Sequence, residues 1–319
     1  MLRTMFAVTC ALAAGVAAAQ AFPSRPIAMV VGFAPGGGTD TSARIIAKAV
    51  GDNLGTPVQV ENRAGAGGNI AHEQVAKALP DGHTILLGSV GPLTVAPHMI
   101  ANLPYDPLKD LVPVTMAVTF ANVLVVHDAV PVRTLADYVK YANQQAGNLT
   151  YGSSGIGGAG HLSGELFRMM AKVNIVHVPY KGGGPAMQDL LGKQIASIFA
   201  TPISAGPHIK AGRIRAIAVT SAKRTDFMPE VPTIAESGYP GFEATNWYAY
   251  VLPAKTPNEL VDRWNRELVK VLNQADVRKA LLAQGMEPAP GTRAEVAAYI
   301  KREYDTWARV VKEANITAN

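Results

Sequence analysis

Two hydrophobic rhythms alternate along this chain. Ile27–Phe33 is a continuous apolar run that stops at Pro35-Gly36-Gly37-Gly38. From Thr39-Asp40 onward, Ile45, Ile46, Ala49 and Val50 fall on one face of a 3.6-residue period. The pattern predicts strand, loop, helix. Val58–Glu61 predicts a second strand, followed by the loop Gly65-Ala66-Gly67-Gly68, a helix through Val75 and Ala78, and a third strand at Thr84–Leu87. Shorter apolar runs lie at Val112–Val118 and Val123–Val126, and Thr134 is placed to cap a helix reaching Gln145. The opening pattern then recurs. Leu149–Tyr151 is a strand, Gly152–Gly158 a loop and His161–Met170 a helix. Ile175–Val178, the loop Lys181–Pro185 and Ala186–Leu191 repeat the unit. Strands at Ile195–Phe199 and Ile214–Val219 flank a short helix near His208–Ala211. Helical periodicity returns at Asn258–Asn273, Asp276–Gln284 and Thr292–Ala314.

Strands that alternate with helices of this length imply right-handed crossovers and parallel sheets. The two β-Gly-α openings, near 27 and 149, predict two similar α/β domains. Residues 223–245 hold Pro229, Pro232, Gly238, Pro240 and Gly241 and read as a connection. The expected division is a segment 1–21 outside the fold, one domain of 22–121 plus 246–319, and a second of 122–245. A chain of 319 residues is long enough for each domain to bury its own core.

Composition narrows the class. With 48% hydrophobic and 17% charged residues the chain is neither disordered nor a multispanning membrane protein. The net charge of +5 is spread along the chain without a basic stripe, so no nucleic-acid partner is expected. Residues 1–21 read as a secretory signal peptide: Arg3 is basic, Met5–Ala19 is a short apolar run, and Ala19-Gln20-Ala21 is a small-x-small cleavage site. The one cysteine, Cys10, lies within it. The mature protein is expected to be exported, soluble and without disulfides.

Enzyme motifs fail one by one. Ser154 has Gly152 before it but Ile156 after it, which breaks the nucleophile elbow. His72-Glu73 opens like a zinc-protease helix, but position 76 is Ala. Gly192-Lys193 is followed by Gln194, so no Walker loop exists, and the seven histidines show no metal-ligand spacing. Gly155-Ile156-Gly157-Gly158-Ala159-Gly160 matches G-x-G-x-x-G, yet the next strand ends at Tyr180-Lys181 without the ribose-binding carboxylate. No cofactor and no metal are expected. What remains is a repetition of Gly-rich loops before helices. Helix N-termini carry unpaired N–H groups and partial positive charge, and glycine lets an anion approach them. Thr39, Ser89, Ser153 and Ser154 add hydroxyls, and Lys181 is the one cation in these loops. A small carboxylate held by neutral donors fits this chemistry. Tight turns made for packing are the plainer reading.

Phe33-Ala34-Pro35-Gly36-Gly37-Gly38-Thr39-Asp40 resembles the first signature of the tripartite tricarboxylate transporter substrate-binding proteins, the Bug family. Further blocks resemble that family in order: Asn102–Pro107, Tyr151–Phe167, Val178–Ala186, His208–Gly212, Val231–Thr233 and Pro240–Glu243. The resemblance implies a type II periplasmic-binding-protein fold, with two α/β domains joined by two crossing segments around a ligand cleft. It implies one carboxylate gripped between loops of both domains, partly through water. Carried over by motif, Gly36, Gly37, Gly38, Thr39 and Asp40, with Phe33 before them, form the first grip. Ser153, Ser154, Gly155, Gly157 and Gly158 form the second, with Tyr180, Lys181, Gly182 and Gly183 beside it. Many members place an acidic residue where this chain reads Ala200-Thr201-Pro202, so a ligand with a free ammonium is not expected.

Several of these residues keep two readings. Asp40 either orients ligand or water, or only complements the dipole of its helix. His161 either donates to the ligand or bonds backbone. Trp247 and Tyr180 either wall the pocket or belong to the core. The expected function is extracytoplasmic capture of a small carboxylate by a monomer that delivers it to the membrane components of a tripartite transporter. Two alternatives stay open: a secreted α/β enzyme acting on a carboxylate or ester, and a periplasmic ligand-sensing module.

Overall fold

The computed structural model describes residues 22–145 and 147–313. The proposed leader, its cleavage site and Cys10 lie outside them. The first sheet opens with β1 (Ile27–Val31), α1 (Gly38–Leu54), β2 (Val58–Asn62), α2 (Asn69–Ala76) and β3 (Thr84–Ser89). A π-helical turn at Gly91–Val95 and the short α3 (Ala96–Met99) lead to β4 (Leu111–Ala121). The chain then builds a second sheet from β5 (Val123–His127), α4 (Leu135–Gln144), β6 (Leu149–Ser153), α5 (Ala159–Ala171), β7 (Ile175–Pro179), α6 (Gly183–Leu191), β8 (Ser197–Ala200), α7 (Pro202–Lys210) and β9 (Ile214–Val219). It returns to the first sheet through β10 (Thr245–Pro253), α8 (Asn258–Leu272), α9 (Ala275–Leu282), β11 (Glu287–Pro288) and α10 (Arg293–Glu313). Thr134 caps α4 as expected, in a reciprocal capping box with Asp137.

The first sheet has the order β11-β4-β10-β3-β1-β2 and the second β7-β6-β8-β5-β9. The expectation of purely parallel sheets is corrected. β1 runs parallel to β2 and β3, and β6 to β7 and β8, but β10 is antiparallel to β3 and β4, and β5 to β8 and β9. The cause is topological. Strands of the β-Gly-α units run toward the Gly-rich loops. β5 and β10 arrive from the other sheet at that same end and must run away from it. The register records this: Tyr248 near the start of β10 pairs with Ser89 at the end of β3, and Val123 pairs with Ala200 at the end of β8.

The chain therefore passes between the sheets at Asn122 and again between Val219 and Thr245. Thr220 stitches the two passages. Its hydroxyl accepts from Asn122 N at 2.9 Å and donates to Ala244 O at 2.9 Å, while its backbone bonds Asn122 O at 2.9 Å and Ala244 N at 2.8 Å. Each sheet is covered on both faces by its own apolar clusters. The clusters are not insulated. Leu162 of α5 and Ile203 of α7 insert into the core around the first sheet.

Candidate functional site

Four helices point their N-termini into the space between the sheets. They are α1, α5, α6 and α7, starting at Gly38, Ala159, Gly183 and Pro202. The preceding residues, Gly37, Gly158, Gly182 and Thr201, provide no side-chain cap. A glycine cannot cap with a side chain, so N–H groups of the first turn are left for another acceptor. The cavity between these ends is small, about 40 Å³. One water needs about 10–15 Å³ of such space, so the room is that of about three waters.

The polar lining is neutral. Thr39, Ser89, Asn122, Ser154, Thr201, Ser204, Asn246 and Tyr248 face the cavity beside the apolar Phe33, Val90, Ile198 and Phe199. No Lys, Arg, His, Asp or Glu lines it among the described residues. Ser89 Oγ is buried with no hydrogen-bond partner, which costs about 1–3 kcal/mol unless something fills the cavity and bonds it. Burial pushes the Tyr248 phenol well above its ordinary pKa, although a bond with the Thr39 side chain opposes this. It is a neutral hydroxyl at any working pH. Among the described residues no cluster of three or more His, Cys, Asp or Glu is placed to hold a metal.

The two sides of the cavity touch. Ala34 N donates to Lys181 O at 2.9 Å. A Cβ on Gly67 would overlap Ile156 O, and one on Gly91 would stand 2.7 Å from Gly157 O. Glycine at these two positions permits the approach, and the arrangement is the closed one.

Of the residues expected from sequence, Phe33, Gly37, Gly38, Thr39, Ser89, Ser154, Gly158, Gly183 and Thr201 line the cavity. The others do not. Gly36 and Asp40 close the first loop from behind: Gly36 N donates to Asp40 Oδ2 at 3.0 Å, Asn62 donates to Oδ1 at 2.9 Å, and Arg44 lies 2.8 Å from Oδ1. Burial alone would raise the Asp40 pKa, but the bonds from Arg44, Gly36 and Asn62 outweigh it and hold the carboxyl below its ordinary value. Ser153, Gly155 and Gly157 belong to the second loop without lining the cavity, and His161 accepts from Gly157 N behind it. Tyr180 donates to Asp189 Oδ2 at 2.7 Å, Lys181 is exposed, and Gly182 packs its backbone against Ala34. The reading of Trp247 as a pocket wall is corrected. Side chains alternate along β10, so Asn246 and Tyr248 face the cavity while Trp247 turns into the core, edge-on to Tyr299 and 3.4 Å from Glu303 Oε2.

Sequence reasoning missed Asn122, Ser204, Asn246 and Tyr248. Asn122 and Asn246 belong to the crossing segments, whose position depends on how the two sheets meet. Ser204 and the α7 N-terminus had a readable signal, since Thr201-Pro202 is a residue followed by proline at the first helical position.

The profile of the tripartite tricarboxylate transporter family receptor (TctC) matches residues 42–316. The protein BugT of Bordetella pertussis is 38% identical over 310 residues, covering 97% of this chain and 95% of its own. The solved structure of the periplasmic binding protein BugD superposes with a TM-score of 0.89 at 35% identity, covering 93% of this chain and 99% of its own. The R. palustris protein Rpa4515, solved with adipate, gives 0.90 at 36% identity, with coverage of 93% and 99%. MatC (Rpa3494) from Rhodopseudomonas palustris, solved with bound malate, gives 0.86 at 33%, with coverage of 91% and 100%. The fold is the two-domain α/β fold of these periplasmic binding proteins.

Proposed function

The chain belongs to the tripartite tricarboxylate transporter receptor family, and on that premise we propose that it captures a small organic carboxylate in this cavity and delivers it to the membrane components of a tripartite transporter. The observation that carries the reading is the meeting of four uncapped helix N-termini around a cavity with no charged side chain. Each terminus favours an anion by about 0.3–1 kcal/mol, more where partly buried. Each hydrogen bond to a carboxylate adds about 1.5–3 kcal/mol. Ser89 Oγ waits for such an acceptor.

The ligand grip consists of Gly37–Thr39 and Phe33 on one side, Ser154 and Gly158 on the other, with Ser89 and Thr201 at the edges. The domain boundaries fall at the crossing segments, giving 22–121 plus 246–319 and 122–245. The chain works in the periplasm after export on residues 1–21. Malate and adipate, bound by the R. palustris relatives, support the small-acid class. No helix among the described residues is long and apolar enough to cross a membrane.

No bond chemistry is part of this reading. The Ser153 hydroxyl does lie 2.7 Å from His177 Nε2, the spacing of a nucleophile and its base. Ser153 is wholly buried, however, and its Oγ bonds both Gly155 N and Gly155 O, so it faces a loop backbone and not the cavity.

The lack of any carboxylate in the lining leaves a ligand ammonium without a partner. In a thermal-shift screen, acids such as malate, adipate and aromatic carboxylates are expected to stabilise the protein more than aspartate or glutamate. Strongest stabilisation by an amino acid would refute the ligand class.

A further inference from the structure

The second cavity loop is fastened from behind at two points, and both fasteners are histidines. Gly157 N donates to His161 Nδ1 at 3.1 Å. Ser153 Oγ bonds His177 Nε2 at 2.7 Å. His161 stands in the first turns of α5 and His177 on β7, yet their rings stack at 4.1 Å between centroids and 26° between planes. The fastened residues adjoin those that line the cavity: Ser153 precedes Ser154, and Gly157 precedes Gly158. Neither imidazole reaches the cavity itself.

We propose that His161 and His177 are a positioning pair that holds the 153–158 loop in its ligand-receiving shape, and that the His161 fastening is made only while the stacked imidazoles are neutral. The inference rests on the reading of the cavity as a carboxylate site. Its chemistry follows from the bonds. His161 Nδ1 is an acceptor for Gly157 N–H, and a protonated imidazole has no acceptor to offer. A proton on Nδ1 would set two N–H groups against each other and release Gly157. A charge on either ring would also lie against its stacked neighbour, so the pair resists protonation as a unit.

The groups facing the pair do not relieve this. Tyr151 of β6 packs on His177 at 5.0 Å and donates its hydroxyl to Glu165 Oε1 at 2.8 Å. Glu165 of α5 would favour a cation on His161, but Arg168 is paired with it at 2.7 Å. Burial lowers the His161 pKa, with Glu165 opposing and Arg168 assisting. Burial and His161 lower that of His177 to about 3. An opened loop would take up protons near the ordinary histidine pKa of about 6.5, and the fastened loop resists them. The fastening is therefore complete above that value and is lost progressively as the pH falls toward the lower, native values.

Two variants separate charge from shape. His161→Asn keeps an acceptor near the Nδ1 position and cannot titrate in this range. His177→Gln keeps an amide N–H near the Nε2 position to donate to Ser153 Oγ, and it does not titrate either. The test is amide hydrogen exchange of the 153–158 peptide in the ligand-free full chain between pH 5 and 7.5, corrected for intrinsic rates. Adipate affinity by calorimetry runs alongside. At pH 7.5, His161→Ala is expected to raise loop exchange by about tenfold or more, the loss of one buried hydrogen bond, while His161→Asn stays near wild type. Wild-type protection should fall toward pH 5, and the His161→Asn/His177→Gln double variant should show a flat profile. Wild-type loop exchange in His161→Ala, or an acid-dependent profile that persists in the double variant, would overturn the proposal. If His161→Ala does not fold, the double variant's profile still decides. Loop exchange is read without ligand, so a failure of adipate to bind would count against the carboxylate reading and leave the positioning result standing.

Discussion

Ser154→Trp is expected to abolish carboxylate binding in a protein that still folds. Ser154 is half-buried on the cavity wall between the two fastened positions of the second loop. The space before it is only about 40 Å³, and an indole would take all of it. The ring would also stand among the N-termini of α1 and α7, where the anion's donors are. The loss should exceed about a hundredfold, or about 2.7 kcal/mol, for any acid that the wild type binds. The fold should survive because the residue sits on the seam between the two sheets and not within either core, so the domains can part to admit the ring. Calorimetry and a circular dichroism melt on the same sample read both halves of the expectation. Wild-type affinity in a folded variant would show that the acid binds elsewhere.

Gly164→Ala is expected to destabilise the protein, against the rule that alanine is the better helix former by about 1 kcal/mol. Gly164 lies on the buried face of α5, and a Cβ there would overlap the Tyr151 ring and stand 2.8 Å from its hydroxyl. The ring cannot step aside. Its hydroxyl holds Glu165, its face lies on His177, and its edge packs on Phe199 at 5.8 Å between centroids. Overpacking of this kind costs about 1–3 kcal/mol, and here the backbone of α5 must shift to relieve it. A lower melting temperature is the expected result, by about 2–4 °C for each kcal/mol in a protein of 150–250 residues and somewhat less in a longer chain. Gly164→Ala/Tyr151→Leu should recover part of the loss, because the second change removes the obstructing ring. An unchanged or higher melting temperature in the single variant would show that α5 has slack against β6.

The β-Gly-α units were legible because each part obeys a local rule. Ile27–Phe33 is apolar, the glycines interrupt it, and Ile46 and Val50 fall on one helical face, so β1 and α1 emerge within a few residues of their observed ends. The same holds for β6 and α5. β10 was not legible. Trp247–Leu252 is buried on both faces, so it shows no alternation, and its antiparallel direction depends on where the chain re-enters the first sheet. The site divides along the same line. Gly37–Thr39, Ser154 and Gly158 lie where a Gly-rich loop meets a helix, and such junctions can be found from sequence. Asn122, Asn246 and Tyr248 reach the cavity from the crossing segments and the start of β10, whose placement depends on how the two sheets meet. His161 was noticed, but its partner His177 is a single polar residue in an apolar strand. Nothing local announces that the two rings stack.

A crystal structure of the protein with the acid that stabilises it most would put the carboxylate grip to its plainest test. The expected result is one carboxylate in the cavity, its oxygens accepting from backbone N–H groups of α1 and α5 and from the Ser89 hydroxyl. No lysine or arginine nitrogen should lie within about 4 Å of it, the distance that defines an ion pair. A carboxylate paired with Lys181 or with any guanidinium, or an acid seated outside the cavity, would contradict recognition by neutral donors.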